Sequence, residues 1–240
     1  MHFRGRQCND LDLASLLAAY DEIHLVDLDK YALGEGVARQ SFMNVTAFRL
    51  HEVDLTASLG VMAQWSPTAA LGDAEIAACA ERPVQSVTGK LPGPFEIVAS
   101  TCVLSQLMEV ITQSVGVAHP RFLELVQAVR IGHLRLLMNL VAPGGAGVLI
   151  SDVVSSETVP ALGALSEKEL PGALVQLLQA RNFFHGVNPA IVTPLFKTDP
   201  ILSPQITELQ VARPWRWNCG SRLYLVYAIK AWKSASAKIN

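Results

Sequence analysis

Cysteine is scarce in this chain and poorly spaced for chemistry. Cys8, Cys79, Cys102 and Cys219 form no C-x-x-C pair, so neither a disulfide framework nor a structural zinc site is expected. The six histidines, His2, His24, His51, His119, His133 and His185, include no H-E-x-x-H and no pair at i, i+4, which argues against a metal centre of that kind. Charge of one sign is also missing: 19 Lys and Arg against 21 Asp and Glu leave a net charge of −2. Scattered basic residues offer no footprint for a nucleic-acid backbone or an anionic membrane. Long hydrophobic runs are absent, and "GVLI" and "LYLVYAI" fall far short of the roughly 18 residues a membrane-crossing helix needs. No apolar leader follows Met1, so a cytoplasmic protein is expected. Ser100, Ser105 and Ser151 lie in no G-x-S-x-G elbow, which disfavours a hydrolase.

What is present is core-forming sequence. Of 240 residues, 50% are hydrophobic and 17% charged, enough for one large domain or two small ones. Leu13, Leu16, Leu17 and Tyr20 predict a helix over 10–20, with Asn9 or Asp10 as its cap and Asp12 in its first turn. Ile23 to Val26 reads as a short buried strand, 30–40 as a helix despite Gly34 and Gly36, and Phe48 to Val53 as a second strand. The stretch 57–90 is interrupted by Pro67, Pro83 and Gly89 around a helix near 70–81. "PFEIVAS" restores a strand, and Leu104, Leu107, Met108 and Ile111 mark a helix. Phe122, Leu125, Val126, Val129, Leu136, Leu137 and Leu140 carry the apolar stripe of a longer helix that "APGG" stops. "GVLISDVV" is the next strand. Pro171 then fits the first turn of a helix reaching about Arg181. "ITELQV" and "RLYLVYAIK" read as strands that a ten-residue connection can pair antiparallel.

Strands alternating with helices, built from apolar runs, predict an α/β fold: a mostly parallel sheet with helices on both faces and a C-terminal antiparallel β-hairpin. Right-handed crossovers put the loops that follow the strands on one edge, where ligands bind in open α/β sheets. Asp27, Asp54, Ser100 and Asp152 fall at such carboxyl ends. A strand-end carboxylate can accept both vicinal hydroxyls of a ribose. Asp27 and Asp29 are equally suited to capping the helix that follows, so both roles stay open.

"IHLVDLD", "LHEVDLT", "PFEIVASTCVLSQL", "LMNLVAPGGAGVLISD" and the closing pair "ITELQV" and "RLYLVYAIK", in this order over nearly the whole chain, resemble the Rossmann-like class I S-adenosylmethionine-dependent methyltransferases. The resemblance implies that Asp27, with Leu28, holds the cofactor ribose and that Asp54, with Leu55, lies near the adenine. It places Ser100, Thr101 and Cys102 in the loop lining the methionine end, and gives the Pro143 to Gly145 turn a structural role. "CNDLDL" is similar to the segment following the family's Gly-rich turn, which implies cofactor roles for Gly5, Asn9 and Asp10. Only Gly5 stands where two or three glycines are expected. The chain thus reads as one methyltransferase-like domain, N-terminally truncated, without the first strand and its turn.

The implied activity is methyl transfer from S-adenosylmethionine, releasing S-adenosylhomocysteine, to a small-molecule acceptor. In-line positioning supplies much of such a rate, so no catalytic dyad is required. "STCVL" replaces the Asn-Pro-Pro-Tyr type of element, which disfavours nucleobase amines as acceptors. Phe183, Phe184, His185 and Asn188 in "RNFFHGVNPAIVTPLF" are candidates for the acceptor pocket, against the reading of a loop packed by its aromatics. The expected protein is a monomer or homodimer with no nucleic-acid or membrane partner. "RPWRWNCGSR" is read as a hairpin loop. Two alternatives remain: a methyltransferase-like scaffold without activity, which the missing turn favours, and a nicotinamide-dinucleotide oxidoreductase, which the lack of G-x-G-x-x-G disfavours.

Overall fold

The computed structural model describes residues 11–235, and the chain divides into two compact units, one ending at Leu55 and the other beginning at Thr56. In the first unit, α1 (Leu13–Ala19) starts later than its apolar spacing suggests, because Asp12 is the cap and not a first-turn residue: its carboxylate accepts the Ser15 N–H at 3.1 Å. The alternative caps Asn9 and Asp10, like Gly5, lie outside the described residues. β1 (Ile23–Asp27) and β2 (Phe48–Glu52) form a two-stranded parallel sheet joined through α2 (Lys30–Arg39). Ile23 and Leu25 of β1 are buried with Leu13 of α1, Leu33 and Val37 of α2 and Phe48 of β2. The alternation of strand side chains sends His24 to the opposite face.

The second unit opens with α3 (Leu59–Met62) and α4 (Asp73–Val87). Pro83 does not end α4, as its ring and missing N–H suggest, but lies inside it. Proline withdraws the donor for the carbonyl four residues back, which is Cys79 O, and that carbonyl sits where a side chain on Gly132 would have to go. Two exceptions to helix rules meet at one close helix contact. β3 (Phe95–Thr101), α5 (Val103–Val115) and α6 (Phe122–Asn139) follow. α6 is largely buried, including Leu125, Val129, Leu136 and Met138.

β4 (Val141–Ser155) begins before the expected strand. "APGG" does not stand outside it as a stop but forms an irregularity within it: Phe95 faces Val141, yet Ile97 already faces Ala146. Gly145 is needed there because a Cβ would collide with Glu96 O. Next come α7 (Leu170–Gln179), with Pro171 in its first turn, and α8 (Pro189–Thr198). The chain closes with β5 (Ile206–Val211), β6 (Trp215–Asn218) and β7 (Leu223–Lys233). "RPWRWNCGSR" is therefore not a plain loop: its Trp215–Asn218 portion pairs with β7 as a strand.

The five-stranded sheet has the order β3-β4-β7-β5, with β6 also on β7. Only β3·β4 is parallel; β7 runs antiparallel to β4, β5 and β6. The molecule is α/β, but the expected mostly parallel sheet is corrected to a mixed sheet plus a separate parallel pair, β1·β2. The cause is the C-terminal hairpin. β7, buried from Leu225 to Ile229, lies against β4 and leaves β5 and β6 outside it. No helix among the described residues is long and apolar enough to cross a membrane.

Candidate functional site

At the carboxyl end of β1 the two neighbouring acids divide the work. Asp29 caps α2, its Oδ1 accepting the Ala32 N–H at 2.9 Å. Asp27 Oδ1 accepts the Asp29 N–H at 3.0 Å, a turn that fixes the carboxylate, and Oδ2 has no partner among the described residues. Because Asp27 faces Glu52 across the parallel pair and Val53 donates to Asp27 O at 2.9 Å, Asp54 and Leu55 emerge at the same end. Leu28 is exposed between the two acids. On the polar face of this sheet, His24 Nδ1 and His51 Nε2 lie 2.8 Å apart with stacked rings. Burial, then His24 and Lys30, lower the His51 pKa.

In the second unit, Ser100 and Thr101 are the last residues of β3 and not part of a loop. Cys102, fully buried, takes left-handed backbone at φ 54° as it enters α5, an uncommon conformation for a residue with a Cβ. Its N–H donates to Ile150 O at 2.8 Å. Ser105 Oγ is within reach of Cys102 O at 3.1 Å and of the Asp152 carboxylate. A hydroxyl has one proton, and the closer carboxylate takes it. Asp152 and Ser151 are buried near the end of β4.

α6 adds two residues to this polar region. His133 Nε2 lies 2.7 Å from Ser100 Oγ, and burial pushes its pKa down to about 4, so the ring is neutral at neutral pH. Arg130 is 6% exposed and makes no ion pair among the described residues. Burial lowers its pKa, but a guanidinium remains charged. Arg130 Nε and His133 Nδ1 are the buried side-chain nitrogens that have no hydrogen-bond partner among the described residues. Tyr227 opposes Ser151 across β4·β7 and donates its hydroxyl to Val187 O at 2.9 Å; burial raises its pKa.

Phe183, Phe184, His185 and Asn188 fall between α7 and α8. Both phenylalanines pack against the core, His185 meets Phe122 edge-on at 5.5 Å, and Asn188 caps α8 by accepting the Ala190 N–H at 2.9 Å. Arg216 and Arg222 of the "RPWRWNCGSR" segment pair with Glu167 and Glu157. No group of three metal-ligating side chains occurs among the described residues.

Apolar spacing alone does not single out Arg130, and it leaves His133 as a packed or surface residue of the long helix rather than a base; the structure buries both. The signal was there: after Val126 and Val129, Arg130 and His133 fill the i+4 and i+7 positions of the buried stripe, so a polar residue at either place is a polar residue turned inward. Compared with known proteins, the chain matches no family model, no curated protein and no solved structure.

Proposed function

We propose that this chain is a Rossmann-like, class I methyltransferase-type protein that binds S-adenosylmethionine through Asp27 and transfers its methyl group to a small-molecule acceptor. One observation carries the reading: Asp29 performs the capping job, so Asp27 is left as a strand-end carboxylate, held by the Asp29 N–H and with Oδ2 unengaged by the described residues. Such a group suits a ribose diol, whose two hydroxyls are donors. The antiparallel pairing of β7 with β5, read in the sequence as the closing hairpin, also supports it. Asp54 and Leu55, which leave the same end of this two-stranded sheet, then serve the adenine. The activated sulfonium is the cofactor's contribution. The chain supplies orientation, through fixed carboxylates and backbone, and exclusion of water.

A second reading, a binding protein of this type without activity, is favoured by the pairing pattern: among the described residues β1 bonds only β2, and β3 only β4.

Calorimetric titration with S-adenosylhomocysteine, with NAD as control, tests the assignment. Removing a charged acceptor costs about 1.5–3 kcal/mol, so Asp27→Ala should weaken binding roughly 10–100-fold. Asp29→Ala should leave affinity nearly unchanged. Absence of heat from a folded wild-type protein would remove the cofactor reading, and tighter binding of NAD would replace it with the oxidoreductase one. Binding without turnover of any acceptor would favour the second reading.

A further inference from the structure

A buried guanidinium with no counter-charge is costly, and proteins pair such groups or give them a ligand. Arg130 is in this position, and the titratable group that acts on it is the Tyr227 phenol, which burial keeps neutral at ordinary pH. A second demand lies beside it. His133, one turn along the same face of α6, has its Nδ1 buried and without a partner. Side chains at this spacing have Cβ atoms about 5–6 Å apart, close enough to share one bidentate group.

We propose that Arg130 and His133 together receive the carboxylate of a small organic acid. The hydrogen-bond arithmetic fits. With the Ser100 hydroxyl, 2.7 Å from His133 Nε2, as the donor, the ring holds the tautomer that carries hydrogen on Nδ1. The ring then presents one N–H donor beside the guanidinium donors, and a carboxylate brings two acceptor oxygens. The charge fits as well. The buried Asp152 carboxylate is taken by Ser105 Oγ and forms no ion pair with Arg130. One cation and a neutral imidazole therefore balance a monoanion, whereas a phosphate dianion would leave an excess negative charge and a water molecule would leave Arg130 uncompensated. Ser100 is thus a positioning residue, acting through His133. The assignment goes beyond the nucleoside reading and does not depend on it.

Benzoate and acetate are the probes, titrated at pH 7 against sodium chloride at matched ionic strength, with no nucleoside present. Thermal midpoint and tryptophan fluorescence are followed for the wild type, Arg130→Met, Arg130→Lys and Ser100→Ala. The expected result is a saturable rise in midpoint for the wild type that Arg130→Met abolishes and Arg130→Lys weakens at least 10-fold. Ser100→Ala, which releases the tautomer, should weaken it severalfold without removing it. A non-saturating change common to all proteins, or no response in the wild type, overturns the proposal even if Arg130→Met fails to fold. Benzoate binding that survives in a folded Arg130→Met overturns it as well, and saturable phosphate binding as tight as that of benzoate overturns the choice of a carboxylate.

Discussion

Two arginines on α6 meet opposite surroundings. Arg135 forms a two-point pair with Asp199, Nε to Oδ1 at 3.2 Å and Nη2 to Oδ2 at 2.8 Å, and the same carboxylate accepts the backbone N–H groups of Ile201 and Leu202. Burial alone would raise the Asp199 pKa, but Arg135 and those amides hold it below its usual range. Arg130, more buried, has no acid. Together they separate a cation whose partner is part of the fold from one whose partner is not. The first arrangement closes the chain entering β5 onto α6, and the second leaves an unmet demand in the polar region.

The contrast can be broken most sharply at Asp199. Asp199→Ala strands Arg135 with little exposure and should destabilise by about 3–5 kcal/mol, measured as the shift in urea midpoint. A smaller effect comes from acid. The His133 pKa near 4 in the folded state lies below an ordinary histidine value near 6.5, so the unfolded chain binds the extra proton first. Its contribution is full above about pH 6.5 and is lost as the pH falls towards 4, amounting to at most about 3 kcal/mol. His133→Gln should remove that part of the slope between pH 7 and 4. Arg130→Met should act in the opposite direction to Asp199→Ala: without a bound acid, replacing an unpaired buried cation by an apolar side chain should be neutral or stabilising by about 1–3 kcal/mol. The smallest effect is expected at Asp29→Ala, about 1 kcal/mol for the lost cap of α2, visible in the denaturation midpoint of the first unit.

Apolar spacing made most elements legible. α5, α6, β3 and the β5·β7 pairing follow directly from it, because each buries a regular stripe or run. It failed where backbone exceptions compensate one another. Pro83 reads as a breaker on its own; only Gly132, far along the sequence, shows that the carbonyl it leaves without a helical donor lies at a close contact with α6. Pro143 to Gly145 read as a stop, and the opposing Glu96 carbonyl turns them into a bulge. The mixed sheet was hidden for a similar reason: an apolar run such as "LYLVYAI" records burial but not strand direction. At the candidate site, strand-end acids could be found by position, yet Asp27 and Asp29 could not be told apart until the Ala32 amide was placed. Arg130 and His133 needed only a question about which polar residues lie on an apolar stripe.

β5 and β6 both pair with β7, and the segment between them contains Arg213 and Pro214. A passing chain therefore meets two short templates, of six and four residues, where one uninterrupted strand would have offered a long ladder. Proline has no amide hydrogen to extend such a ladder, and a flanking charge is unfavourable to bury in one. The break lets β7 keep partners along its length while dividing the outer edge on that side into two short ladders.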